Sequence, residues 1–147
     1  MGTYTPYTTG LVDHVATLLG DIQTPAWRSN IGANVSTERE QALDTEAPFC
    51  AVMLVGWEST AEGTAVRRDC ELLVEATIAA GAPDAEAQAR LVAEDIFERF
   101  RSGSTATLAS GVEAVIRPSD SAAIERPDGA AAITVRLTLR GEIYELL

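Results

Sequence analysis

The one histidine of the chain, His14, is the side chain whose ordinary pKa suits general-base work at neutral pH. Such work needs a nucleophile within reach, and neither a serine nor a cysteine lies close to it in sequence. With Asp13 beside it and helical spacing around it, His14 is expected on a solvated helix face. Cys50 and Cys70 stand on successive apolar stretches, where they are able to face each other. Lacking a histidine partner or a Cys-x-x-Cys spacing, they make neither a zinc site nor a redox pair and are expected to be core-filling thiols. Glu94, Asp95 and Glu98 form an acidic cluster of the type that holds metals or shuttles protons. They fall opposite the apolar stripe of their helix, so the expectation is a solvated charge run. Residues 102–111 are rich in glycine and serine but have neither the spacing nor the lysine of a phosphate cradle, and no dinucleotide fingerprint or H-E-x-x-H helix occurs. No catalytic residue, metal ligand or cofactor is assigned. The side chains that remain are suited to protein contact. Trp27 and Trp57 are candidate anchors, with core packing the alternative, chiefly for Trp57. Glu58, Glu71, Glu75, Arg136 and Arg140 are the charges that strand faces would present.

Those residues are positioned by a chain that reads as organised around one long β-hairpin. Its first arm, residues 49–57, is apolar on both parities, as a strand covered on two faces would be. A polar turn over residues 58–65 is expected, too long for a two-residue primed turn, with Gly63 available for a positive φ. The second arm, residues 67–79, alternates: Cys70, Leu72, Val74, Ala76 and Ile78 on one face, Asp69, Glu71, Glu75 and Thr77 on the other. Before the hairpin, a helix over residues 10–21 is predicted from Leu11, Val15, Leu18, Leu19 and Ile22, with Thr8 or Thr9 as its cap. Residues 23–48 show no sustained period beyond a short strand near 31–35. After the hairpin, Asp84 caps a helix over residues 85–101 whose stripe is Ala89, Val92, Ala93, Ile96, Phe97 and Phe100, ended by Gly103. Strands at 112–117 and 132–140 follow, separated by a turn region with Pro118, Pro127, Asp128 and Gly129. The expected fold is α+β: N-terminal helix, β-hairpin, helix, β-hairpin, with an antiparallel or mixed sheet carrying its helices on one face.

A chain of 147 residues has the length of one domain, and one domain over 1–147 is expected. At 46% hydrophobic residues it can bury roughly 70% of the surface that the unfolded chain exposes, without a disulfide or metal. No apolar run approaches the ~20 residues that cross a bilayer, so no membrane partner is expected. The first residues lack the basic segment and apolar core of a signal peptide, which points to the cytoplasm as the place of action. Eleven basic against 22 acidic side chains leave a net charge of −11, which disfavours a grip on nucleic acid.

Several local textures stand out: the stretch from Ala47-Pro48-Phe49 through Val55-Gly56-Trp57-Glu58, the arm Arg68-Asp69-Cys70-Glu71-Leu72-Leu73-Val74-Glu75-Ala76, and Pro83-Asp84-Ala85-Glu86 at the helix start. Arg126-Pro127-Asp128-Gly129 and the closing Ile143-Tyr144-Glu145 belong with them. In these the chain resembles the tail terminator, or minor tail, proteins of long-tailed, lambda-like siphophages and related phage-derived particles. The resemblance spans about residues 10–147, with the long loop and residues 102–121 poorly matched. It implies a non-enzymatic virion protein, made in the host cytoplasm and located at the head-proximal end of the tail. Such a protein forms a ring, a hexamer in the family, that caps the tail tube protein, ends tube polymerisation and meets the head–tail connector protein. DNA would pass through the lumen without specific binding. The family has no catalytic signature to transfer. Ring or tube contacts are expected at Trp27, Trp57, Glu58, Glu71, Glu75, Arg136 and Arg140, with residues 58–66 and 27–46 as docking segments ordered mainly on assembly. The alternatives are another head–tail connector or a tube subunit. From a different class comes a small cytoplasmic ligand-binding domain or enzyme with a pocket between the sheet and the second helix.

Overall fold

The computed structural model describes residues 6–37, 48–81, 83–117, 122–126 and 131–146. Helix α1 runs Tyr7–Gly20 and buries Leu11, Val15 and Leu19. It begins earlier than the threonine cap predicts, because Pro6 occupies the N-cap position with no side-chain cap bond. A proline there has no N–H to leave unbonded, and its constrained φ suits the approach to a helix. A 3₁₀ turn, Ile31–Ala33, and a two-residue strand β1, Val35–Ser36, then lead toward strand β2, Phe49–Glu62, and strand β3, Ala65–Ala79. Helix α2 is Ala85–Phe100. It is followed by β4 (Ser104–Thr107), a 3₁₀ turn (Ala109–Gly111), β5 (Glu113–Arg117), β6 (Ala122–Glu125) and β7 (Ala132–Leu146).

The fold is α+β, as expected. The seven strands form one mixed sheet in the order β1-β2-β3-β7-β5-β4, with β6 also on β7. Only β1 on β2 is parallel. β7 is the long central strand: β3 runs along one edge for its whole length, while β6 and β5 share the other edge in succession. Strands β4 and β6 depart from the sequence expectation, because Ser-Thr-Ala-Thr and Ala-Ala-Ile-Glu carry little apolar alternation, and only pairing with neighbours makes them strands. Pro118, Pro127, Asp128 and Gly129 lie outside the described residues.

Opposite residues in an antiparallel ladder share a face, so the register identifies the covered side. Cys50, Val52 and Leu54 face Ala76, Val74 and Leu72, and these face Val135, Leu137 and Leu139. Apart from the half-buried Leu54 these residues are buried, in one core with α1 and α2. Both helices therefore lie on this face. Gly141 lets α1 approach closely: a Cβ there would sit 2.6 Å from a methyl of Leu11. Cys50 stands opposite Ala76 and Cys70 opposite Trp57, so the two thiols do not face each other. Both are buried and free; burial pushes the Cys50 thiol up to about 12 and raises Cys70.

The hairpin departs from its prediction in a way that matters for the surface. β2 does not stop at Trp57 but continues to Glu62, and the loop is only Gly63-Thr64, with Gly63 at φ 64. A glycine of positive φ at the first loop position is what a tight two-residue hairpin connection requires. Glu62 and Arg67 close the tip with a 3.1 Å ion pair. Nor is β2 covered on both sides along its length: Val55 is 60% and Trp57 53% exposed.

Candidate functional site

The surface that gathers most of the expected contact residues is the far part of the hairpin and the uncovered face of the sheet beside it. Its geometry begins with a slip in register. Leu54 pairs with Leu72 but Gly56 pairs with Glu71, leaving Val55 as the extra residue of a bulge. One extra residue reverses which parity faces the core. Before the bulge the even-numbered side chains of β2 face the helices; after it the odd-numbered ones do, so Trp57 stands on the helix side, opposite Cys70. The helical layer does not cover it there, and an indole that strand alternation alone would put on the wet face ends up on the other one, half-bare.

On the wet face, Glu58, Asp69 and Glu142 form one cross-strand row and Gly56, Glu71 and Arg140 form another. Between the rows lies a depression of about 470 Å³, lined by these residues with Trp57, Cys70 and Gly141. Three of the seven expected contact residues, Glu58, Glu71 and Arg140, therefore share the wet face here, while Trp57 lies between them along β2 with its indole on the opposite face. Glu75 and Arg136 are four residues further along the same ladder, bonded at 3.0 Å, and Arg136 also reaches Glu125 at 2.9 Å. Arg117 pairs with Glu142 at 2.9 Å. That hydrogen bond, with a second from the Tyr144 hydroxyl, holds the Glu142 carboxyl below the usual range, while the same bond raises the Tyr144 phenol. Among the described residues Glu58, Glu71 and Arg140 make no ion pair. By register the wet face carries Glu58, Glu62, Asp69, Glu71, Glu75, Glu113, Glu125 and Glu142 against Arg67, Arg117, Arg136 and Arg140.

Trp27 is not part of this surface. It is half-buried, packs against the core, and lines a separate depression with Pro25, Ala26, Arg28 and Glu98. The acidic cluster of α2 also departs from expectation. Glu94 is exposed, but Asp95 is fully buried. One Asp95 oxygen accepts from the Ser29 amide and hydroxyl, both at 2.8 Å, and the other from the Arg28 guanidinium at 3.1 Å. Glu98 completes a two-pronged pair with Arg28 at 2.9 Å, and those bonds lower the Glu98 pKa. The described start of the long loop is thus clamped to α2 by Arg28 and Ser29; residues 38–47 lie outside the described set. Phe97, expected in the buried stripe, is 36% exposed, because the loop rests on the Asp95 flank of the helix instead. Asp95 stands three residues after the buried Val92, a spacing that could have flagged it.

His14 also has a partner that its sequence neighbourhood hid: Ser104 Oγ on β4 lies 3.3 Å from Nε2. Burial, then the positive charge of Arg99, lowers the imidazole pKa. Among the described residues no carboxylate is hydrogen-bonded to the other ring nitrogen, so the contact ties α1 to β4 without the orienting acid of a hydrolytic triad. Those residues contain no group of three or more His, Cys, Asp or Glu able to hold a metal. A second depression, about 330 Å³, lies beside α2 and is lined in part by Arg28, Ile31, Pro48, Ile78, Leu91 and Val92. No described helix is long and apolar enough to cross a membrane.

No protein-family model matches the chain, and no curated protein matches it. The fold and surface define a class: an α+β protein with a bulged hairpin arm that runs past its helical layer and a charged, uncovered sheet face.

Proposed function

We propose that the protein is a structural assembly subunit of the tail-terminator type. Copies would form a ring on the end of a tail tube, stop its growth and offer the surface that the head–tail connector meets. The observation that carries the reading is the hairpin arm. Residues 55 and 57–62 are exposed while the arm continues the sheet, joined through β3 to β7; it presents Glu58, Glu71 and Arg140 on one face and the half-bare indole of Trp57 on the other. A rigid arm with an exposed indole is suited to a protein–protein contact, since its ordering entropy has already been met on folding.

The charge pattern supports the DNA side of the same reading. All 11 basic residues are arginines. Seven of them, Arg28, Arg67, Arg68, Arg99, Arg117, Arg126 and Arg136, are engaged with carboxylates. Few cations are left to neutralise phosphates, and a face rich in carboxylates repels a duplex that must slide past. The test is the mass of the purified protein alone and with tail tubes, by native mass spectrometry and electron microscopy. Expected are closed rings and capped tubes, with no salt-sensitive binding to duplex DNA. A species that stays monomeric at high concentration and on tubes removes the ring, and micromolar DNA binding removes the low-friction conduit.

A further inference from the structure

Among the described residues the edge of β2 beyond Ala51 is the longest unpaired strand edge. β1 pairs with β2 only at Cys50 and Ala51, and among the described residues nothing pairs with that edge beyond them. Proteins usually blunt such edges with lysine, proline, inward charges or a bulge. Phe49–Glu62 contains no lysine and no proline, and its bulge lies at Val55, before the regular stretch from Gly56 to Glu62.

We propose that two copies of this chain pair through that stretch, antiparallel, about a two-fold axis at Ser59. Symmetry and charge select the register. A two-fold antiparallel pairing whose pleats match must set one residue against its own copy. Centring on Glu58 sets two carboxylates face to face, and centring on Thr60 sets Glu58 against Glu62 twice. Centring on Ser59 avoids both: Glu58 meets Thr60, Glu62 meets Gly56, and Trp57 meets Ala61 over all seven residues. The Thr60 hydroxyl then donates to the carboxylate of Glu58, and the exposed indole of each copy lies over the methyl of the other. Glu62 is already paired with Arg67 in its own chain, so its charge is offset at the junction.

This pairing does not rest on the ring reading, and the two fail separately. Single cysteines are placed at Ser59, Trp57 or Ala61 in the full chain, with Cys70, which stands opposite Trp57, replaced by alanine and the native Cys50 buried, and the proteins are mildly oxidised. Expected is a disulfide-linked dimer from Ser59→Cys at least tenfold faster than from Trp57→Cys or Ala61→Cys alone, while a mixture of the last two cross-links to each other. Thr60→Glu, on an exposed residue opposite Arg67 of its own chain, should weaken dimerisation in sedimentation experiments at least tenfold with an unchanged unfolding midpoint. Equal rates at the three positions overturn the proposal, as does preferential capture of Ser59→Cys by Thr105→Cys on the opposite sheet edge. Rings without the Ser59 cross-link would keep the assembly reading and remove this one; the cross-linked dimer without rings would do the reverse.

Discussion

The near and far parts of the β2–β3 hairpin use the same two strands and the same ladder, yet they do different things. In the near part Cys50, Val52, Val74, Ala76 and Ile78 are buried beneath the helices. In the far part, past the bulge, backbone pairing continues without that cover and Trp57 stands half-bare. Hydrogen bonds between strands are nearly neutral exchanges with water, so the ladder extends as far as its ends allow, whereas apolar burial stabilises only where a second layer lies. Stability and free surface are thereby assigned to different lengths of one element.

The sharpest test of that division removes one aromatic ring from the helical layer that covers the core and one from the uncovered far part of the hairpin. Phe100→Ala, under the core with the ring 1% exposed, should cost about 3–5 kcal/mol in denaturant unfolding, while Trp57→Ala should cost under about 1. Similar losses at the two sites would erase the distinction. A smaller contrast separates two carboxylates. Asp95→Ala strips the acceptors from Ser29 and one from Arg28 inside the fold and should cost about 3 kcal/mol; Glu75→Ala, in a part-buried pair with Arg136 on the sheet face that no helix covers, should cost about 1. If Glu75 proves as costly as Asp95, the uncovered face contributes more stability than its exposure allows.

The smallest effect is a slope in pH. The folded imidazole of His14 has a lowered pKa, so the unfolded chain takes its proton first. Stability should be level above the usual value of 6.5, decline as pH falls below it, and level again once the folded ring is protonated. His14→Asn should flatten that decline, since the chain has no other histidine. The Glu98 and Glu142 carboxyls, also lowered, keep their contributions above the ordinary carboxylate value of 4.5 and lose them only as pH falls through their folded values, in a separate window. A slope between pH 7 and 5 that survives His14→Asn would place the proton uptake elsewhere.

The sequence alone determined the α+β class, the buried alternation from Cys70 to Ile78 in β3, the α2 stripe apart from Phe97, and the positive-φ Gly103 that ends it. These are periodic signals, read from one element at a time because burial of one face imposes them. Tertiary structure decided what depended on two elements at once. Asp95 looks solvated from its own helix, and only the Arg28-Ser29 segment laid over it supplies the donors that make burial tolerable. His14 lacks a partner until β4 brings Ser104 to it. β4 and β6 have almost no apolar period and become strands because β5 and β7 offer them a ladder. The side on which Trp57 stands was settled by one unpaired residue, Val55, because a strand's period of two turns a shift of one position into a change of face.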